Sequence, residues 1–248
     1  MILYANACLK KYKEERGVKG VKLAGHMEMA QFKVPYWASG NFERTYPLPP
    51  YSTVIGMVHS LCGWKEYHPM LISVAGRGIL NIDKFATRWK GGMFSGEETK
   101  EFKERFPVRV RDGEGFRGYV RQPAVMEYIA DLDLRLHILP LDQSEVDEIV
   151  SALRYPKRFP SLGRYEDLIR IDDIREVEIS DSESEAFLDM PAYVPWHSGM
   201  QGTVYRIHKT YTVDRKRRIR FEDVSVIVVD PETVTAKTDV DGCPVFLA

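Results

Sequence analysis

The chain has 248 residues, 44% hydrophobic and 29% charged, with a net charge of −1. That is the composition of a globular protein with one sizeable core, or a core with a smaller appendage. The near-neutral total argues against indiscriminate coating of nucleic acid, no uncharged apolar run reaches the length of a membrane span, and three scattered thiols (Cys8, Cys62, Cys243) lack disulfide-framework or zinc spacing.

Charge is segregated along the chain. Residues 84–121 carry ten Lys/Arg against six Asp/Glu, 205–220 seven against one, and 172–189 eight acidic residues against one Arg. This fits separate basic and acidic faces, although ordinary solvated charge accounts for any single run.

Residues 1–18 read as a leader, a short helix or an arm. Its lysines follow the apolar start, the reverse of a signal peptide, which points to a cytoplasmic protein. Val21, Leu23, Gly25, Met27, Met29 and Gln31 then alternate as a strand of period two. After an aromatic loop, Pro47, Pro49 and Pro50 impose an extended lead-in to a helix expected over roughly 52–61. Ser52 or Thr53 supplies its N-cap, Val54, Ile55, Val58, Leu61 and Cys62 its apolar stripe, and Gly63 its stop. The first turn would point N–H groups outward beside Arg44 and Tyr51, a geometry that suits a phosphate. An ordinary capped helix explains the same residues.

A second strand is expected over 70–75, with Gly76 and Gly78 as bulge or turn positions. Residues 81–122 read as an inserted, partly mobile β-arm, basic along one edge, with a turn at Asp112-Gly113. A strand resumes over 119–139, interrupted at Pro123. Ser144 caps a helix carrying Val146, Ile149, Val150 and Leu153, and a strand follows over 169–179. The order β-α-β, insert, β-α-β predicts an α+β, ferredoxin-like (split βαβ) domain with two helices on one sheet face. Residues 185–248 read as a small β-rich extension, with strands 204–213 and 218–229 joined by a basic turn and a loosely ordered tail after Asp230. The expected organisation is thus a leader at 1–18, a ferredoxin-like domain at 19–184 with a β-hairpin thumb inserted at about 81–122, and an extension at 185–248.

Phosphate-binding, dinucleotide-binding, nucleophile-elbow and zinc-protease motifs are all missing from the sequence, and no catalytic, metal or cofactor site is expected. Six histidines offer acid–base candidates, each more simply structural. His208, with Lys209 and nearby Tyr205 or Tyr211, is the best candidate for metal-independent RNA cleavage, which needs a base for the 2′-hydroxyl and a cation for the phosphorane. The recurrent pattern is aromatic beside cation: Lys33/Tyr36/Trp37, Arg44/Tyr46/Tyr51, Arg88/Trp89/Lys90, Phe116/Arg117/Tyr119/Arg121 and Tyr205/Arg206/Lys209/Tyr211. Single-stranded nucleic acid uses both, bases stacking on rings and phosphates pairing with cations. Tyrosines beside arginines are also common on sheet edges.

Two of these stretches carry a resemblance. Asn41-Phe42-Glu43-Arg44-Thr45-Tyr46-Pro47-Leu48-Pro49-Pro50-Tyr51-Ser52-Thr53-Val54-Ile55-Gly56-Met57 is similar to the P-P-Y-S-T-[LV]-I-G-M segment of the CRISPR-associated family five proteins. Ser161-Leu162-Gly163-Arg164-Tyr165-Glu166-Asp167 resembles the same family's L-G-R-x-E-D loop. These are RAMP-type subunits of type I Cascade complexes, and subtype I-B is the nearest likeness. The resemblance implies an RRM-like, non-catalytic subunit that caps the 5′ handle of crRNA and folds a β-thumb over it. It implies contacts with the backbone RAMP subunit, the large PAM-sensing subunit and target DNA near the PAM, and no membrane. Carried over by position, Arg44, Tyr51, Ser52 and Thr53 would meet the handle, Gly163 and Arg164 would form a second wall, and residues near 88–111, including Arg109 and Arg111, the thumb. With Lys33, Tyr46, Arg88, Trp89, Lys90, Arg121, His208 and Lys209 from the aromatic-cation pattern, these make up the expected RNA-binding set. The leader departs from the family, whose members begin at the first strand. Two other readings stay open: a crRNA-processing endoribonuclease of the same fold, and a protein-interaction subunit without RNA contact.

Overall fold

A computed structural model describes residues 18–35, 41–94, 99–113, 115–213 and 219–248. The leader, Tyr36, Trp37 and the basic turn after Val213 lie outside the described residues. In chain order the elements are β1 (Val18–Ala30), β2 (Phe42–Glu43), α1 (Tyr51–Cys62), β3 (Met70–Phe94), α2 (Lys100–Arg105), β4 (Val108–Asp112), β5 (Gly115–Pro140), α3 (Val146–Arg154), β6 (Arg170–Ile179), β7 (Ser184–Phe187), β8 (Ala192–Pro195), β9 (Val204–Val213), β10 (Ile219–Val229), β11 (Thr233–Thr238) and β12 (Pro244–Val245). The described residues fall into two compact units, those within 1–32, 46–79 and 129–248, and those within 33–45 and 80–128.

The first unit is built on a sheet ordered β6-β1-β5-β3-β8-β10-β9. β1 pairs antiparallel with β5, Val21 opposite Ile138 and Leu23 opposite Leu136, and with β6 on its other side. Period-two alternation gives this part of the sheet two unlike faces. On one, Val21, Leu23, Met27, Leu132, Leu136 and Ile138 are wholly buried, together with Val54 and Val58 of α1 and Ile149 of α3. Burying each such aliphatic side chain contributes about 1.5–3 kcal/mol, so this layer is the main core.

The other face is polar, and the C-terminal tail covers it. Lys22 of β1 sits opposite His137 of β5, and both reach Asp239 just after β11. The Lys22 ammonium lies 2.8 Å from the carboxylates of both Asp239 and Asp241. Asp239 accepts from the His137 ring at 3.0 Å and from the backbone N–H groups of Asp241 and Cys243. Burial depresses His137, despite its carboxylate partner, and these hydrogen bonds hold the Asp239 carboxyl far below the usual range. The expectation of a loose tail is corrected here. β11 and β12 join β7 in a second sheet, and Ala248 exchanges both backbone bonds with Ile72. What period-two alternation does not reveal is the buried ionic pairing that ties the tail to β1 and β5.

Other expectations change in detail. α1 starts at Tyr51 with Pro50 as its N-cap residue and no side-chain cap; it ends at Gly63, φ +76°. Ser52 and Thr53 are therefore inside the helix and do not cap it. Asp142, not Ser144, caps the helical stretch at 143–154, its carboxylate accepting from the Ser144 N–H and hydroxyl. β3 does not stop at Gly76 and Gly78, and β5 is not interrupted at Pro123. A Cβ at Gly76 would lie 2.7 Å from the Asp133 carbonyl, and one at Gly78 2.4 Å from the Ile129 side chain. These glycines admit a close neighbour to a continuous strand and do not bend it. β8 adds to the same sheet through Ala75 opposite Ala192, with β10 and β9 beyond it.

In the second unit β4 pairs antiparallel with β5 from Val108–Tyr119 to Asp112–Gly115, around the expected turn, and β2 runs parallel to β5 at Val125 and Met126. α2 replaces part of the expected arm with a helical turn.

Candidate nucleic-acid interface

The lead-in to α1 is fixed before any ligand is considered. The Tyr193 hydroxyl donates to the Leu48 carbonyl at 2.8 Å and accepts from the Leu48 N–H. Tyr51 packs edge-on against Tyr193, and both rings are fully buried. Tyr46 is 3% exposed and donates its hydroxyl to the Arg206 carbonyl. Tyr46 and Tyr51 thus stand in the core, because the proline run turns their rings inward. Neither presents a stacking face to solvent. Burial also pushes the Tyr51 hydroxyl well above the ordinary tyrosine range.

What the lead-in exposes is the start of the helix. Thr53 and Val54 donate their N–H groups to Pro50, but no side chain caps the first turn and no acidic residue stands in it. Ser52 and Thr53 are half-buried there. An uncapped first turn with two accessible hydroxyls offers donors and a partial positive charge to an anion.

The Leu162-Gly163-Arg164 loop is held by one buried carboxylate. Asp167 is 2% exposed and accepts from the Arg164 guanidinium at 2.6 and 2.9 Å and from the Gln31 N–H at 3.2 Å. Gly163 adopts φ +112°, and a Cβ there would press against the Gln31 carbonyl at 3.3 Å. Phe32, the next residue, accepts from the Tyr46 N–H. The end of β1 therefore ties this loop to the α1 lead-in within one unit. Arg164 braces the loop, with Glu166 also 3.3 Å from its guanidinium.

His208 and Lys209 lie where β9 and β10 shift register. His208 is opposite Asp223, Thr210 is opposite Glu222, and Lys209 is the extra residue between them. The His208 imidazole contacts the Asp223 carboxylate through Nδ1 and stacks on Phe221 at 4.0 Å between centroids. Arg206 lies 2.6 Å from the other oxygen of Asp223. Burial lowers the Lys209 ammonium. A β-bulge re-aims side chains and recurs beside functional sites. Asp223, absent from the expected set, fixes the ring; its only sequence signal is cross-strand register.

In the second unit three of the seven expected cations, Lys33, Arg44 and Arg88, meet carboxylates. Glu43, on the two-residue β2, takes Lys33 at 2.7 Å and Arg88 at 2.6 Å. Those hydrogen bonds lower the Glu43 carboxyl against the opposing cost of its burial. Arg44 lies 3.5 Å from Glu127, which also accepts from the Thr45 N–H. Arg109 donates to the carbonyls of Lys103 and Phe106 at the end of α2, and Arg121 to the Thr87 hydroxyl. Trp89 is 58% exposed, and Lys90 and Arg111 are exposed. The set is therefore less positive than its cations suggest. No group of three or more His, Cys, Asp or Glu among the described residues could hold a metal ion, and no helix among them is long and apolar enough to cross a membrane.

One surface stretch falls outside the aromatic-cation clusters read from the sequence. Between α3 and β6, Tyr155, Phe159 and Tyr165 are 75%, 87% and 89% exposed, with Lys157 and Arg158 also exposed. The run Arg154-Tyr155-Pro156-Lys157-Arg158-Phe159-Pro160 carries the same pattern as the five clusters.

The sequence model described as CRISPR-associated protein (Cas_Cas5) matches residues 21–227. No curated protein sequence gives a significant match. Among solved structures, the chain is similar to one titled "CRISPR RNA-guided surveillance complex", with a TM-score of 0.52 and 21% identity over 88% of this chain and 91% of that one. It also matches a CRISPR protein from Archaeoglobus fulgidus at a TM-score of 0.47 and 10% identity, covering 93% of this chain and 99% of that one. The 0.52 match places the large antiparallel sheet and its few helices in a shared fold.

Proposed function

The chain belongs to the CRISPR-associated protein (Cas_Cas5) family, and from that premise we propose that it is a non-catalytic, crRNA-binding subunit of a type I Cascade complex, of subtype I-B. In this reading it works in the cytoplasm and caps the 5′ handle of crRNA. It abuts the backbone RAMP subunit and the large PAM-sensing subunit, near the PAM of target DNA. The strand order β6-β1-β5-β3, with α1 and α3 following β1 and β5, supports reading the core as a ferredoxin-like split βαβ domain. The observation that carries the RNA reading is the first turn of α1: uncapped, without an acidic residue, and held rigid by Tyr193. A handle phosphate seated there would complete donors that the protein leaves open.

Gel shift with handle-bearing RNA tests this reading. Ser52→Glu, which places a carboxylate in that first turn, and the pair Arg44→Ala with Arg164→Ala should each weaken binding. Unchanged affinity with normal complex assembly overturns it.

The pairing of His208 with Asp223 beside a depressed Lys209 favours a second reading, a metal-independent endoribonuclease that matures the repeat. Incubation with repeat RNA in EDTA separates the two. A single defined cut lost in His208→Ala supports cleavage; no cut supports the cap.

A further inference from the structure

The exposed run after α3 borders a cleft that none of the residues discussed so far occupies. Its volume is about 590 Å³, within the range of roughly 300–1,000 Å³ typical of small-ligand clefts. Leu153, Pro156, Pro160, Ile169 and Ile171 supply an apolar lining. Its polar lining includes Arg154, Arg170, Asp172 and Asp173. The loop beside it is anchored. Tyr155 donates its N–H to Ser151, Ile169 donates to the Pro160 carbonyl, and Pro156 and Pro160 each fix a φ angle. A base or ring entering the cleft meets a preformed wall, which lowers the ordering cost of binding.

Charge decides the kind of occupant. Asp172 is paired with Arg170 at 2.6 Å, and Asp173 with Arg175 at 2.6 Å. Arg154 spends one donor on the Ile174 carbonyl. Lys157 and Arg158 are exposed and carry no such partner among the described residues, and residues 154–160 include no acidic residue. Exposed lysine is poorly suited to the core of a protein interface, whereas unpaired cations beside aromatic faces suit a single strand. We propose that this cleft and loop form a seat for single-stranded RNA, with a base in the cleft, Tyr155 and Phe159 as stacking faces, and Lys157 and Arg158 on the flanking phosphates. The seat is separate from the handle-gripping residues and rests on the proposed function only for taking RNA as the natural ligand.

The test uses the full chain and a fluorescein-labelled oligouridylate of about twelve nucleotides, which lacks any handle, followed by anisotropy. Tyr155→Ala and Phe159→Ala should each weaken binding about tenfold. Oligouridylate binding that is kept in Tyr155→Ala and Phe159→Ala but lost in Arg44→Ala with Arg164→Ala would put the strand on the handle residues and overturn the seat, so failure of the handle reading and failure of the seat are distinguishable. No binding of oligouridylate, or full affinity in Phe159→Ala together with Lys157→Ala and Arg158→Ala, overturns the seat. If oligouridylate binding is unchanged while assembly with the other subunits is lost, the surface is a protein contact and the proposal falls.

Discussion

Two basic-aromatic regions of similar sequence have different electrostatic fates. Around Arg88 and Trp89 the cations close on a buried acid: Lys33 and Arg88 share Glu43, and Arg44 faces Glu127. Around Tyr155 and Phe159, Lys157 and Arg158 stay exposed and form no ion pair among the described residues. A cation already paired must give up that partner, or share it, before it helps a phosphate. An unpaired one releases its counterions directly. Counting Lys and Arg along a sequence therefore measures potential, and the position of the carboxylates decides how much of it is spent on the fold. The pairing on the polar face of the main sheet is the extreme case, since Lys22, Asp239 and His137 are all buried.

The largest effect should come from breaking that buried pairing. Asp239→Ala leaves the Lys22 ammonium with the partly exposed Asp241 carboxylate and the Cys243 sulfur, and loosens the tail on β1. Urea denaturation should show a loss of about 3 kcal/mol, at the lower end for a buried ion pair deprived of one member. A loss below about 1 kcal/mol would mean that the tail adds little to the first unit.

Acid should act on the same group. His137 is depressed by burial, so the unfolded chain takes up its proton near the ordinary value of about 6.5 while the folded chain does not. Stability should fall as pH drops below about 6.5, with a slope approaching 1.4 kcal/mol per pH unit for one proton. Asp239 is also depressed, so its contribution is lost only below about 3.9, and the two losses run in the same direction. His137→Gln should flatten the upper part of the profile between pH 6.5 and 5. A profile unchanged by that substitution would assign the slope to other groups.

Glu43→Gln sharpens the comparison directly. It removes the charge shared by Lys33 and Arg88 while keeping an acceptor in place. The expected destabilisation is about 1–2 kcal/mol, moderated because Lys33 is half exposed. RNA affinity should rise at low salt, with a salt slope steeper by up to about 1.4 for two added phosphate contacts. If affinity falls instead, Glu43 positions its cations for RNA and does not withhold them.

Much of the framework was readable in advance, for physical reasons that vary by element. The alternation of Val21, Leu23 and Met27, the stop at Gly63 and the stripe of Val146, Ile149 and Leu153 follow from local period and backbone preference, and each recurs in the structure. The Leu162-Gly163-Arg164 loop was legible as a motif, but its brace by Asp167 and Gln31 depends on contacts up to 136 residues apart in sequence. The glycines of β3 misled because a close approach and a turn ask for the same residue. Tyr46 and Tyr51 misled because the proline run sets where the rings point, which composition does not show. Glu43 and Asp223 escaped notice because each matters through a partner on another strand. The run Tyr155–Phe159 fell outside the motif sought at Ser161–Asp167, although its composition alone matched the pattern used elsewhere.

The smallest effect on stability should come from the region with no carboxylate to lose. Lys157→Ala with Arg158→Ala removes two exposed cations from a loop whose backbone is fixed by Pro156, Pro160 and the Ile169–Pro160 bond. No packing, cap or ion pair is broken, so the thermal midpoint should stay within about 2 °C of the parent. The same change should reduce the magnitude of the salt slope for oligouridylate by about 1.4, the value for two phosphates on a single strand. Glu43→Gln and this pair should therefore move stability and salt dependence in opposite combinations: a less stable protein with a steeper slope in one case, an equally stable protein with a shallower slope in the other. A shallower slope from both would break the contrast, because it would put Glu43 and the exposed cations on the same side of the electrostatic balance.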